Sequence, residues 1–230
     1  MSKTTKPVLF VVTSNNVKGD TGIPTGFNLS EVTHPLEKLE EAGLKIEFAS
    51  PKGGEAPLDG MEDFENDKVS AAYWQNEAFR NAIANTQKMS EVDTSKYSAI
   101  FFAGGHGTMW DFRGNTDIQK AIREIYENGG VISAVCHGPV ALVDVKLSDG
   151  TYLVSGKNVA SFTNGEEEEV QATNIVPFLL ADALEANGAT HKNTPNWSDT
   201  VVTDGRLVTG QNPQSAASLG VELAKVILDK

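Results

Sequence analysis

Cysteine is nearly missing from this chain: its 230 residues contain one, Cys136. A single thiol excludes an internal disulfide and suits a reducing compartment. Basic residues are scarce too, 19 Lys and Arg against 31 Asp and Glu, for a formal net charge of −12. That balance argues against nucleic acid, which wants a basic patch, and against an anionic membrane surface. No apolar run approaches the ~18 residues of a membrane span, and no apolar signal region precedes the first strand-like segment. We therefore expect a cytoplasmic protein. Cysteine and histidine never cluster at metal-ligand spacing, so no structural zinc is expected. Internal repeats, low-complexity segments and linkers are absent as well.

What is present is an ordinary globular composition, 40% hydrophobic and 22% charged, enough for a sizeable core. Residues 8–12, 45–49, 99–103 and 131–135 are short apolar runs that read as buried parallel strands. Helical patterns at 29–42, 70–86, 116–128, 176–187 and 213–228 alternate with them. A hairpin is expected around Asp204-Gly205-Arg206, and another over residues 152–162. The alternation predicts an α/β fold, a mostly parallel sheet with helices on both faces. We read residues 1–230 as a single domain carrying a helical insertion at about 52–92, a lid or a partner surface.

In such a sheet the site lies beyond the strand carboxyl ends. Three segments fall there: the long polar loop 15–27, the turn Gly104-Gly105-His106-Gly107, and Cys136. Ala134-Val135-Cys136-His137-Gly138 has the spacing of a nucleophile elbow, in which small residues let the chain bend sharply around the reactive side chain. By residue type alone a free cysteine is a small core residue. Its place at a strand end, before His137 and Gly138-Pro139, favours the nucleophile, with a following helix N-terminus expected to favour the thiolate.

A thiol nucleophile needs a base and donors for a developing oxyanion. His137 and His106 are both candidate bases. The turn at 104–107 offers backbone N–H groups, although the same glycines suit a plain tight turn. It is no phosphate loop, since no Gly-Lys-Ser/Thr follows. His34 and His191 read as solvated or structural. Glu31 reads as an acid at a helix N-terminus, and the run Glu166 to Glu169 as a solvated helix start. Spacing alone selects none of these acids as a partner for His137.

These residues resemble a known family. Ala134-Val-Cys-His-Gly-Pro139, Phe101-Phe-Ala-Gly-Gly-His-Gly107 and Phe162-Thr-Asn-Gly-Glu-Glu167 are similar to the DJ-1/PfpI superfamily, closest to its Hsp31-like branch. So are Thr21-Gly22 and the stretch from Asp204 to Ala216. The resemblance covers nearly the whole chain. It implies a flavodoxin-like sandwich and a homodimer. It also implies Cys136 as nucleophile, His137 as general base, Glu167 or else Glu168 as the acid behind it, and Glu31 as a protonated carboxyl bonded to the thiol. Gly105, with His106, is expected at the substrate and its oxyanion. Relatives in that branch are glutathione-independent glyoxalases that turn methylglyoxal or glyoxal into D-lactate or glycolate without cofactor or metal. Chaperone, stress-response and protein-deglycation roles are also ascribed to them. Two rival readings stand beside this one: a cysteine hydrolase on the same elbow, and a holdase chaperone with apolar surface around Trp74 and Phe79.

Overall fold

The computed structural model describes residues 6–59 and 66–229. Residues 60–65, part of the expected insertion, lie outside it. In chain order come β1 (Val8–Val11), β2 (Phe27–Asn28), α1 (Leu29–Glu41), β3 (Ile46–Ser50), β4 (Leu58–Asp59), α2 (Lys68–Gln75), α3 (Glu77–Ala84), β5 (Gln87–Lys88) and β6 (Ala99–Phe102). Then follow α4 (Thr108–Asp111), α5 (Thr116–Glu127), β7 (Val131–Val135), β8 (Asn158–Val159), α6 (Asn164–Glu169), α7 (Leu180–Ala186), β9 (Thr190–His191), β10 (Val201–Asp204), β11 (Leu207–Gly210) and α8 (Ala216–Leu228).

Seven strands form one sheet in the order β10-β11-β7-β6-β1-β3-β5. Every neighbouring pair is parallel except β10 with β11, the hairpin expected at Asp204-Gly205-Arg206. The apolar strands are sealed on both faces because alternate side chains point to opposite sides. Leu9, Val11, Ile100, Phe102, Ile132 and Ala134 join Ile118, Ile122 and Leu184 in one core. Phe10, Phe101, Val131 and Val135 join Val32, Leu36, Leu39, Leu219 and Leu223 in the other. The result is the sandwich expected from the sequence.

Topology places the site. From β1 the chain crosses to β3 on one side and later returns to β6 on the other, so the carboxyl ends of β1 and β6 flank a switch point. Val11 is level with Phe102, and Phe102 with Ala134. The segments leaving β1, β6 and β7 therefore emerge side by side.

Four expectations are corrected. Residues 152–162 form no hairpin: β8 pairs in parallel with β9, 32 residues on. Its N-terminal end is tied to the Asp204 carboxylate, which accepts from the Asn158 amide at 2.9 Å and from Lys157 Nζ at 3.0 Å. The helix expected from residue 176 starts only at Leu180, because Pro177 disfavours helical geometry in the residue before it. The helix expected over 70–86 is two helices. Asn76 ends α2, and its side chain caps α3 by accepting from the Ala78 and Phe79 amides. Finally, the elbow leads not into a long helix but into a five-residue 3₁₀ turn, Gly138–Leu142, buried throughout.

Candidate active site

Cys136 closes β7 with φ at +60°, the left-handed region a nucleophile elbow requires of a non-glycine residue. The backbone holds it there from both sides. The Cys136 amide donates to Gly210 O at 3.0 Å, and the Phe162 amide donates to Cys136 O at 2.8 Å. Cys136 is 4% exposed. The thiol is nearly closed off from solvent, and a five-residue turn supplies little of the helix dipole expected to favour the thiolate. Burial pushes the thiol up from its ordinary value, and Glu31 adds to that push. The backbone N–H groups of Gly105 and His137 act in the opposite sense, donating toward the sulfur.

Glu31 sits in the first turn of α1, capped by Asn28, the helix-start position expected of it, and it is fully buried there. Its Oε2 accepts from the Gly104 amide at 2.7 Å. Its Oε1 is buried without a partner in ordinary hydrogen-bond geometry, and the Glu31 carboxyl and the Cys136 thiol act on each other. Burial, opposed by Cys136 and the Gly104 amide, pushes the Glu31 carboxyl up to about 8. At neutral pH the pair retains a proton, and a protonated Glu31 can donate it to a thiolate.

The glycines are steric requirements here. A Cβ on Gly104 would lie 2.3 Å from Glu31 Oε2, and one on Gly105, at φ +97°, would lie 2.3 Å from Gly26 O. Only a bare backbone lets the turn press against Glu31 and residues 26–28 while the Gly105 amide points toward the sulfur.

His137 Nδ1 lies 3.4 Å from Cys136 Sγ, and its Nε2 meets Glu167 Oε2 at 2.7 Å. The four-glutamate run resolves by helical geometry. In α6, Glu166 and Glu167 face inward, whereas Glu168 and Glu169 face out. Glu166 completes the capping box with Thr163 and accepts from Asn212, Gln211 and the Trp197 amide. Glu169 binds Asn196 and the Trp197 indole. Glu167 alone of the four reaches His137, so half of a run that reads as solvated is core.

Sequence reasoning missed a second contact of Glu167. Its Oε1 meets His106 Nε2 at 2.6 Å, and the two imidazoles lie 4.2 Å apart, centroid to centroid. Burial alone would raise Glu167, but the His137 charge and the bonds from both rings hold it well below the ordinary carboxylate range. Burial and the His137 charge lower His106 to about 4. His106, His137 and Glu167 are a possible ligand set for a divalent ion, with donor atoms within 4.8 Å of one another. Their N···O separations of 2.6 and 2.7 Å are hydrogen-bond lengths, shorter than the ~3.3 Å that two ligands ~2.0 Å from one zinc would show.

All six residues singled out from the sequence, Glu31, Gly105, His106, Cys136, His137 and Glu167, meet in one place. Five of them line a cavity of about 260 Å³, with Phe162, Trp197, Val170, Asp59 and Lys18 among the other wall residues, and Glu167 stands behind the two histidines. His34 instead pairs with Asp67 at 2.6 Å, and His191 with Ser161 at 2.8 Å, both elsewhere.

The DJ-1/PfpI family model matches residues 22–226. The chain belongs to the DJ-1/PfpI family. Among curated members it is 35% identical over 219 residues to glyoxalase 3 of Candida albicans, covering 91% of this chain and 93% of that protein. It is 34% identical over 230 residues to glutathione-independent glyoxalase HSP31 of Saccharomyces cerevisiae, covering 94% and 95%. The crystal structure of glyoxalase III from Candida albicans superposes with a TM-score of 0.89 at 31% identity, over 96% of this chain and 97% of that one. The mostly parallel sheet between helices is thus the fold of that neighbour.

Proposed function

We propose that this chain, read as one DJ-1/PfpI-like unit over residues 1–230, is a glutathione-independent glyoxalase of the glyoxalase III type. It converts methylglyoxal or glyoxal to a hydroxy acid such as lactate or glycolate. The observation that carries this reading is the composition of the 260 Å³ cavity: one thiol, a neighbouring imidazole and a proton-holding carboxyl in a space suited to a few heavy atoms. The names of the relatives point the same way.

Cys136 Sγ attacks the aldehyde carbon. The thiol proton leaves through His137 Nδ1 and is passed to the new oxygen, giving a hemithioacetal. The Gly105 and His137 amides stabilise the oxyanion before it is protonated. The hydrogen on C1 then moves to C2 by way of an enediol, so that C1 is oxidised and C2 reduced within the substrate. The product of that step is a thioester. Water cleaves it, returning the proton to sulfur and releasing the hydroxy acid. The substrate is its own oxidant, so atoms and electrons balance without an organic cofactor. Glu167 fixes the His137 tautomer, and protonated Glu31 donates a hydrogen bond to the thiolate while keeping its proton.

The test is incubation of the purified protein with methylglyoxal, without glutathione, following lactate. Turnover by wild type and none by Cys136→Ala is expected; no turnover by wild type, or full turnover by the variant, rejects the reading. A cysteine hydrolase on the same elbow would instead cleave amides and leave methylglyoxal untouched. Of the surface named for the holdase reading, Phe79 is buried against Phe48 and Tyr73, while Trp74 is half-buried and lines a separate groove. Of the expected insertion, Asp59 is the described residue that lines the cavity. No described helix is long and apolar enough to cross a membrane. A cytoplasmic homodimer is the assembly we infer from the family, and sedimentation of the intact protein checks the dimer.

A further inference from the structure

Glu167 holds two imidazoles in the same way, and the proposed reaction asks for two separate proton acceptors. The ionised carboxylate accepts at both oxygens, so Nε2 of His137 and Nε2 of His106 each carry a hydrogen. In each neutral ring the free lone pair is then on Nδ1. That of His137 faces Cys136 Sγ at 3.4 Å. His106 lines the same cavity with its side chain 13% exposed, and its Nδ1 has no hydrogen-bond partner among the described residues. The main chain holds the ring in place: Met109 N donates to His106 O at 3.0 Å, and Thr108 Oγ1 donates to Gly105 O at 2.9 Å.

Resting on the glyoxalase reading, we propose that His106 is the second base of the site: it carries the hydrogen from C1 to C2, while His137 serves the sulfur. His106 Nδ1 takes the proton from C1 of the hemithioacetal, and the C–H electron pair forms the C1=C2 bond as the C2 oxygen takes the proton of the neighbouring C1 hydroxyl. The enediolate then collapses: the C1 oxygen, its proton already on the C2 oxygen, becomes the thioester carbonyl, and the C1=C2 pair takes the proton back from His106 at C2. No atom is gained or lost, and each ring ends as it began. Two neighbouring rings sharing one carboxylate repel when both are charged, so one proton at a time occupies the pair. His137 is free of its proton once the hemithioacetal oxygen is protonated, which is when His106 is needed.

The experiment separates capture from turnover. His106→Gln keeps an amide donor for Glu167 but has no titratable nitrogen. Its thiol alkylation rate by iodoacetamide at pH 7 should stay within about two-fold of wild type. Intact mass should show methylglyoxal bound to the protein, while lactate formation falls by roughly 10²-fold or more, the usual contribution of a positioned acid–base group. His106→Ala should regain lactate formation when imidazole is added, which also serves if the glutamine variant folds poorly. Wild-type turnover in the glutamine variant overturns the proposal. So does a parallel loss of thiol alkylation, or alanine-variant activity that imidazole does not raise, because His106 would then only prop Glu167. Absence of lactate from wild type itself would reject the glyoxalase reading, a separate failure seen in the first arm.

Discussion

Gly104 donates its amide hydrogen to Glu31 Oε2 at 2.7 Å, and a methyl group on Gly104 would lie 2.3 Å from that same oxygen. The two residues are 73 apart in sequence, and their contact sets how closely α1 approaches the turn after β6. Gly104→Ala must therefore displace a buried carboxyl or the His137 backbone, whose nitrogen would be 2.8 Å away. Overpacking of this kind costs about 1–3 kcal/mol. Thermal unfolding should fall accordingly, and lactate formation should fall further than stability explains. A variant with wild-type melting and activity would show that the contact is dispensable.

Glu31 gives a pH dependence with a defined sign. Its folded value is raised to about 8 from an ordinary 4.5, so between those values the folded state binds the extra proton. Stability contributed by that proton is present at low pH and is lost as pH rises toward 8. Glu31→Gln is neutral at every pH and should melt higher than wild type at pH 9, by on the order of 5 °C. The gap should shrink on acidification to pH 5. Its activity should drop, since a neutral amide is a weaker hydrogen-bond donor to the thiolate than a carboxylic acid. Melting curves at the two pH values decide this: a gap that does not change with pH counts against it.

Glu167 and its neighbour provide an internal control. Glu167→Gln leaves both histidines without their ionised acceptor and should lower kcat by roughly 10²–10⁴-fold, with little change in fold. Glu168 is exposed and reaches neither ring, so Glu168→Gln should keep wild-type kinetics. The result to look for is the ratio of the two rates; equal losses would remove Glu167 from its place behind His137.

Asp111 anchors the loop after β1. It accepts from Thr13 Oγ1 at 2.8 Å and from the Ser14 amide at 2.7 Å, and burial raises it to about 6. Asp111→Asn weakens a charge-assisted pair worth about 1.5–3 kcal/mol per bond. That loop carries Lys18 to the cavity wall. KM for methylglyoxal should rise several-fold with kcat nearly unchanged, as steady-state kinetics would reveal. A fall in kcat alone would mean that the loop does not shape binding.

The strands, the elbow and the glycine turn were legible because each rests on local chemistry. Apolar runs of four or five residues can only be buried strands in this alternation, and the small–x–Cys–x–small spacing permits a sharp bend. Pro177 and Asn76 moved helix ends through local rules that periodicity alone does not weigh. The 152–162 segment misled because β8 finds its partner 32 residues away, and turn-like residues say nothing about distant pairing.

The sequence by itself determined the sandwich, the bend at Cys136 and the arrival of three loops at one sheet edge, all consequences of near-neighbour sterics and hydrophobic pattern. Tertiary structure decided which glutamate stands behind His137 and that His106 shares it. Those bonds join residues 30 and 61 positions apart, and helix α6 turns only one side of four identical side chains inward. It also decided the state of the thiol. Burial, which no residue pattern around Cys136 reveals, sets the proton balance between Cys136 and Glu31.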